Sequence, residues 1–217
     1  MIAGLSTADD SYLALRSALT LARHWSLSPA ERLPHYLRAQ ELRIHDALAR
    51  DTNRAFLLEV ASTAEAAGDT ETAISNYREA LPSSEAVSAL ERLISDPYRL
   101  AAAFLAGRQY SRALDALGGL AAPSIEAPAQ RALGNHAAGL DAYERWLSEE
   151  PDNTEALLGR AWSNFYLNNN EVADAQFKAL AGSNALYGRG LLANRAGDLD
   201  AATEFLFASG DPYHLWL

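Results

Sequence analysis

The side chains able to do chemistry are few and scattered along the chain. The five histidines are His24, His35, His45, His136 and His214, and no two share the short spacing that sets a metal-binding pair on one helical face. His35 and His45 stand ten apart, close to three helical turns, and read as surface or boundary residues. Glu149, Glu150 and Asp152 could surround a cation, but Pro151 ends a helix between them, so a solvated turn is the better reading. Asp9-Asp10 is expected in the first turn of a helix, where the dipole favours carboxylates. The chain has no cysteine, which removes disulfides, thiolate nucleophiles and thiolate metal ligands together. No GxxxxGK[ST] or GxGxxG phosphate loop occurs, and no serine sits in a GxSxG turn. No catalytic residue, metal site or cofactor is therefore expected.

Composition narrows the classes that remain. A chain of 217 residues can bury a sizeable core in one or two domains. It is rich in alanine and leucine and sparing of β-branched residues, which favours an all-helical fold. The formal net charge is −10, with no basic run, so nucleic acid is not an expected partner. No apolar run approaches the ~18 residues of a membrane span, so no transmembrane segment is expected. The opening MIAGLSTADD lacks the basic region and apolar stretch of a signal peptide. Apart from Lys178 the basic residues are arginines, a bias that fits a GC-rich bacterial genome. The compartment stays open between bacterial cytoplasm and cell envelope.

The elements that must position any site are short helices in pairs. In the stretch around AEAAGDTETAISNYREALP, Leu57, Ala61 and Ala64 recur at helical spacing. Gly68 then supplies a left-handed residue that ends the helix, and Asp69 can cap the next. Ala73, Tyr77, Ala80 and Leu81 share one face of the second helix, and Pro82 follows its end. Neither helix can bury its apolar face alone, so each hairpin must stack on another. The pattern returns with Leu157, Ala161, Ala173 and Phe177, where Asn168 replaces the glycine. It returns again with Tyr143, Trp146 and Pro151, with Leu186, Gly190, Gly197 and Ala202, and more weakly with Ala101, Phe104, Tyr110 and Ala113.

These residues resemble the tetratricopeptide repeat, a 34-residue helix-turn-helix with small residues at its eighth and twentieth positions. The resemblance implies a right-handed α-solenoid of degenerate tetratricopeptide-like hairpins over residues 54–217. First positions at 54, 94, 120, 154 and 183 give spacings of 40, 26, 34 and 29 rather than a constant 34. A bend or shortening is expected near residues 118–128, which hold two glycines and two prolines. Residues 1–53 do not fit the repeat and read as a cap of two longer helices, the second opening at a Ser28–Glu31 capping box.

The same resemblance implies where a ligand would lie, since the first helix of each pair lines the inner face of such arrays. Positions two, five, nine, twelve and thirteen then offer Leu158, Trp162, Phe165 and Tyr166 in one unit, and Tyr187, Leu191, Asn194 and Arg195 in the next. Aromatic rings with an arginine suit an extended peptide or a glycan. Alternatively, Trp162 and Phe165 merely pack between neighbouring units. The carboxylate clamp of the chaperone-binding members needs lysine and asparagine at positions five and nine. Here Leu58 and Ser62, Leu158 and Trp162, and Tyr187 and Leu191 stand there, so no such clamp is expected.

Two function classes follow. The leading one is a non-catalytic scaffold that binds a protein or peptide partner. The alternative rests on APAQRALG, SNALYGRG and GDLDAATEFL, which resemble the helical superhelix of bacterial soluble lytic transglycosylases. On that reading the segment is the non-catalytic part of an enzyme that meets peptidoglycan through an attached catalytic domain. The closing GDPYHLWL is apolar, with Tyr213, Leu215, Trp216 and Leu217 expected to begin a further helix. A longer parent protein or a homotypic contact through this end is expected.

Overall fold

The computed structural model describes residues 3–43 and 53–210. Its described residues form thirteen α-helices and no strand. The expected helix at Tyr213–Leu217 lies outside them. The chain divides into two compact units, Met1–Gln109 and Tyr110–Leu217. No described helix is long and apolar enough to cross a membrane.

In the first unit, α1 (Ala3–Ala22) and α2 (Pro29–Arg43) form a hairpin on which α3 (Asn53–Ala66) packs. Asp9 and Asp10 were expected in the first turn of α1, but the helix begins at Ala3 and they lie about two turns in. The signal that misled is simple: acidic residues also occur inside helices. The Ser28 capping box forms as expected. The Ser28 amide donates to Glu31 Oε2 at 2.8 Å, and the Glu31 amide points back at Ser28 Oγ at 3.4 Å. α3 pairs with α4 (Thr70–Glu79), followed by α5 (Ser84–Leu93) and α6 (Pro97–Ala106). α5 buries Ala86, Val87, Ala89 and Leu90, and this third helix accounts for the 40-residue spacing.

In the second unit, α7 (Tyr110–Leu117) has only eight residues. Gly118 and Gly119, both at positive φ, lead from it to α8 (Pro123–Ala132), which pairs with α9 (His136–Glu149). α10 (Thr154–Tyr166) and α11 (Asn170–Lys178) make the next hairpin, and α12 (Ser183–Ala196) and α13 (Leu199–Ser209) the last.

One turn recurs at 68, 108, 134, 168 and 197. At each, a left-handed residue follows a first helix: Gly68, Arg108, Gly134, Asn168 or Gly197. Two backbone bonds close each helix end, of the kind Gly68 N to Glu65 O at 3.0 Å and Asp69 N to Ala64 O at 2.9 Å. These turns stand fourteen residues after each expected first position, so the register read from the sequence holds at all five turns. Asp69 and Asp198 then cap the following helix through their side chains. The small residues expected at the helix crossings are buried: Ala61 and Ala73, Ala161 and Ala173, and Ala202; Ala127, not singled out from the sequence, is buried on α8 as well. Gly139 continues the series, since a Cβ there would lie 3.2 Å from the Arg131 backbone nitrogen.

Two tyrosine–glutamate–arginine sets hold the first unit together. Glu59 receives Arg23 Nε at 2.8 Å and the Tyr36 hydroxyl at 3.2 Å, joining α1, α2 and α3. Glu65 receives the Tyr77 hydroxyl at 3.1 Å and a two-pronged contact from Arg92, joining α3, α4 and α5. The hydrogen bond from Arg92 holds the Glu65 carboxyl below its ordinary value, against the opposing effect of burial. Burial, then the bond to Glu65, pushes the Tyr77 phenol up to about 12.

Three outcomes follow from this packing. Ala173→Leu should destabilise by roughly 1–3 kcal/mol through overpacking at the α10–α11 crossing, read as a lower thermal midpoint. Arg108 holds the left-handed position of its turn at φ 57, and its neighbour Gly107 is small for a different reason: a Cβ there would sit 2.2 Å from Leu81 Cδ1. Arg108→Gly should therefore stabilise, by about 0.5–1 kcal/mol in urea titration once the added chain entropy is offset. For Glu65, whose folded value is lowered, the contribution to stability is full above pH 4.5 and is lost as pH falls through the lowered value. Glu65→Gln should flatten that acid limb, in chemical denaturation measured between about pH 3 and 6.

Candidate functional site

Within the second unit a groove of about 400 Å³ opens over α10. Its floor is set by Gly159, where a Cβ would lie 2.1 Å from Tyr143 Cζ, so only glycine lets the α9 tyrosine slide beneath α10. The Tyr143 hydroxyl accepts from Arg131 Nε at 3.2 Å, which ties α8 to the same place. Burial raises the Tyr143 phenol above its ordinary value, with Arg131 opposing it. The hydroxyl stays protonated across the physiological range.

Five residues expected from the sequence line this groove: Leu158, Trp162, Tyr166, Tyr187 and Leu191. Along α10, Glu155, Leu158, Trp162 and Tyr166 form one stripe; its eleven-residue span is about 17 Å long at the helical rise. Asn184, Tyr187 and Leu191 form the parallel stripe of α12. Trp162 is half-buried, with its ring centroid 6.1 Å from that of Tyr166 and 6.0 Å from that of Tyr187. It also meets Phe165 and Phe177 nearly edge to face, at 5.5 and 5.0 Å. Trp162 thus serves the core on one side and the groove on the other. Tyr166 is 49% exposed, and one of its faces is stacked by His136 at 4.4 Å.

Three expected residues stand apart from the groove lining. Phe165 is 6% exposed and packs with Ala161, Phe177 and Leu192. Arg195 folds over the Phe165 ring at 4.0 Å and donates to Phe165 O, Asn168 Oδ1 and Asn170 Oδ1 at 3.1, 3.2 and 2.8 Å. It clips α12 to the turn between α10 and α11. Asn194 is exposed in the last turn of α12, and its carbonyl accepts from Gly197 N.

Arg131, Tyr143, Glu155, Gly159 and Asn184 also line the groove and were not singled out from the sequence. Tyr143 was read there as a core position only. A usable signal lay in position two of the repeat, which Glu155 and Asn184 both occupy. Among the described residues, no group of three or more histidine, aspartate or glutamate side chains is placed to hold a metal.

A second concavity of about 490 Å³ lies between α10 and α11, lined by Leu157, Arg160, Glu171, Val172, Ala175 and Leu180 among others. None of its residues was expected at a site. It is mostly apolar.

No family model matches the chain, and no curated protein matches it. Among solved structures, the chain is similar to a tetratricopeptide repeat protein from Parabacteroides merdae ATCC 43184. The two superpose with a TM-score of 0.54 at 16% identity, over 98% of this chain and 91% of that one. A likeness to BtubC (BKLC) from P. vanneervenii spans 93% of this chain and 87% of that one at 14% identity, but its TM-score of 0.23 carries no argument. Recurrent left-handed turns, small residues at the crossings and the first of these likenesses agree: the chain has an all-α, tetratricopeptide-like repeat fold.

Proposed function

We propose that this chain is a non-catalytic binding module that docks an extended segment of a protein partner in the groove over α10. The observation that carries this reading is the half-buried Trp162 between Tyr166 and Tyr187, rings that extend the core into an open cleft. Aromatic side chains give large contact area at small entropic cost and are the usual anchors of recognition surfaces. The groove pairs them with Arg131, Glu155 and Asn184, a few polar groups that can fix a ligand's orientation. No nucleophile with an adjacent base lines it, so binding rather than turnover is the chemistry these side chains support.

The transglycosylase reading would use the same helices to hold a catalytic domain near peptidoglycan, and it rests on the sequence resemblance alone. An array of linear peptides, run beside purified glycan strands, separates the two. Peptide binding that falls about tenfold or more in Tyr166→Ala, with an unchanged thermal melt, is the expected result, as for loss of one aromatic anchor. Retention on glycan strands, with no Tyr166-dependent peptide, would move the assignment to the alternative.

A further inference from the structure

The groove's rings and polar groups narrow the partner further. We infer that it takes a proline-rich segment in the polyproline II conformation, with a basic residue at the end that meets Glu155. This rests on reading the groove as a peptide site.

Ring spacing comes first. Along α10, Trp162 stands 6.1 Å from Tyr166, and two residues of polyproline II advance about 6.2 Å; Tyr187 stands 6.0 Å from Trp162 on the other helix, α12. The rings are tilted by 32° and 46° to one another, so they present an uneven apolar surface rather than one flat platform. Proline side chains pack on aromatic surfaces of that kind; a sugar ring needs a broad open face, and His136 already covers one face of Tyr166.

The polar groups point the same way. Arg131 is a donor only, tied on one side to Tyr143, and the Asn184 amide can donate as well. A donor-rich rim suits a ligand that offers carbonyls and few N–H groups, which is the hydrogen-bonding character of a proline-rich chain. Glu155 is the single carboxylate lining the groove, at the α10 end opposite Tyr166, and no ion pair to it is found among the described residues. With a chain of formal net charge −10, it favours a positive residue at that end of the ligand. The stripe of about 17 Å matches five to six residues at the polyproline rise of about 3.1 Å. Such a segment is already extended when free, so docking orders little of it.

Titration calorimetry of the whole chain tests this with three synthetic peptides. One is about ten residues of proline and leucine ending in an arginine; the second replaces every proline by alanine; the third replaces the arginine by glutamate. The first should bind at least about tenfold more tightly than the second and several-fold more tightly than the third. Tyr166→Ala should weaken the first by about tenfold with an unchanged melt, and Glu155→Lys should reverse the preference between the first and third. Equal binding of the proline and alanine peptides, both lost in Tyr166→Ala, would overturn the inference and leave the peptide-docking reading intact. Binding that ignores Tyr166→Ala, or a preference unmoved by Glu155→Lys, would also overturn it. No Tyr166-dependent binding by any linear peptide would remove both readings.

Discussion

The fold depends on how closely two short helices can approach. A helix of ten to fourteen residues is marginal in water, and here each gains stability by pressing an alanine or glycine face against its partner. The crossing positions therefore admit almost no side-chain volume, and Ala61, Ala73, Ala161 and Ala173 are wholly buried. Large residues are displaced to the flanks of the crossing, where Tyr77, Tyr143 and Phe177 fill the space between hairpins. Every later feature, including the groove, inherits that division between small contacts and large fillers.

The groove shows the same logic reused. Gly159 is small because Tyr143 must pass beneath α10, and Gly188 is small because the Phe177 ring would meet a Cβ there at 2.5 Å. Phe177 meets Trp162 edge to face at 5.0 Å, and Tyr143 lines the same groove. Trp162 stays half-buried, with part of it at the surface. The open cleft is the remainder left when two core aromatics take the deeper space.

Much of this was legible in the residues, and the failures are physical. Gly68 and Asn168 announced their turns because few side chains tolerate a left-handed backbone, and small and aromatic residues in phase gave the other first positions. Arg108 did not announce its turn, because Gly107 beside it was pinned by Leu81 rather than by backbone conformation. Helix α5 escaped notice because its apolar face packs as a third helix, which a two-helix pattern has no place for. In the groove, periodicity pointed to Trp162 and Tyr166, but it could not separate Phe165 and Arg195, whose burial and bonding depend on the turn between α10 and α11. Arg195 illustrates the limit: a cation at an inward position is satisfied by three backbone and amide oxygens of its own chain.

Repeat lengths of 40, 26, 34 and 29 coexist with a fixed interval from each first position to its turn. The variation falls after the turn: in the second helix, which has eight residues in α7, nine in α11 and fourteen in α9, and in the junctions beyond it, where α5 and the Gly118-Gly119 pair lie. Chain length is rigid up to the turn and elastic beyond it. Insertions and deletions confined to those junctions leave every crossing intact, so the architecture can drift far in sequence length while its geometry stands still. The junctions are the natural places to graft a loop, a label or a whole domain onto this scaffold.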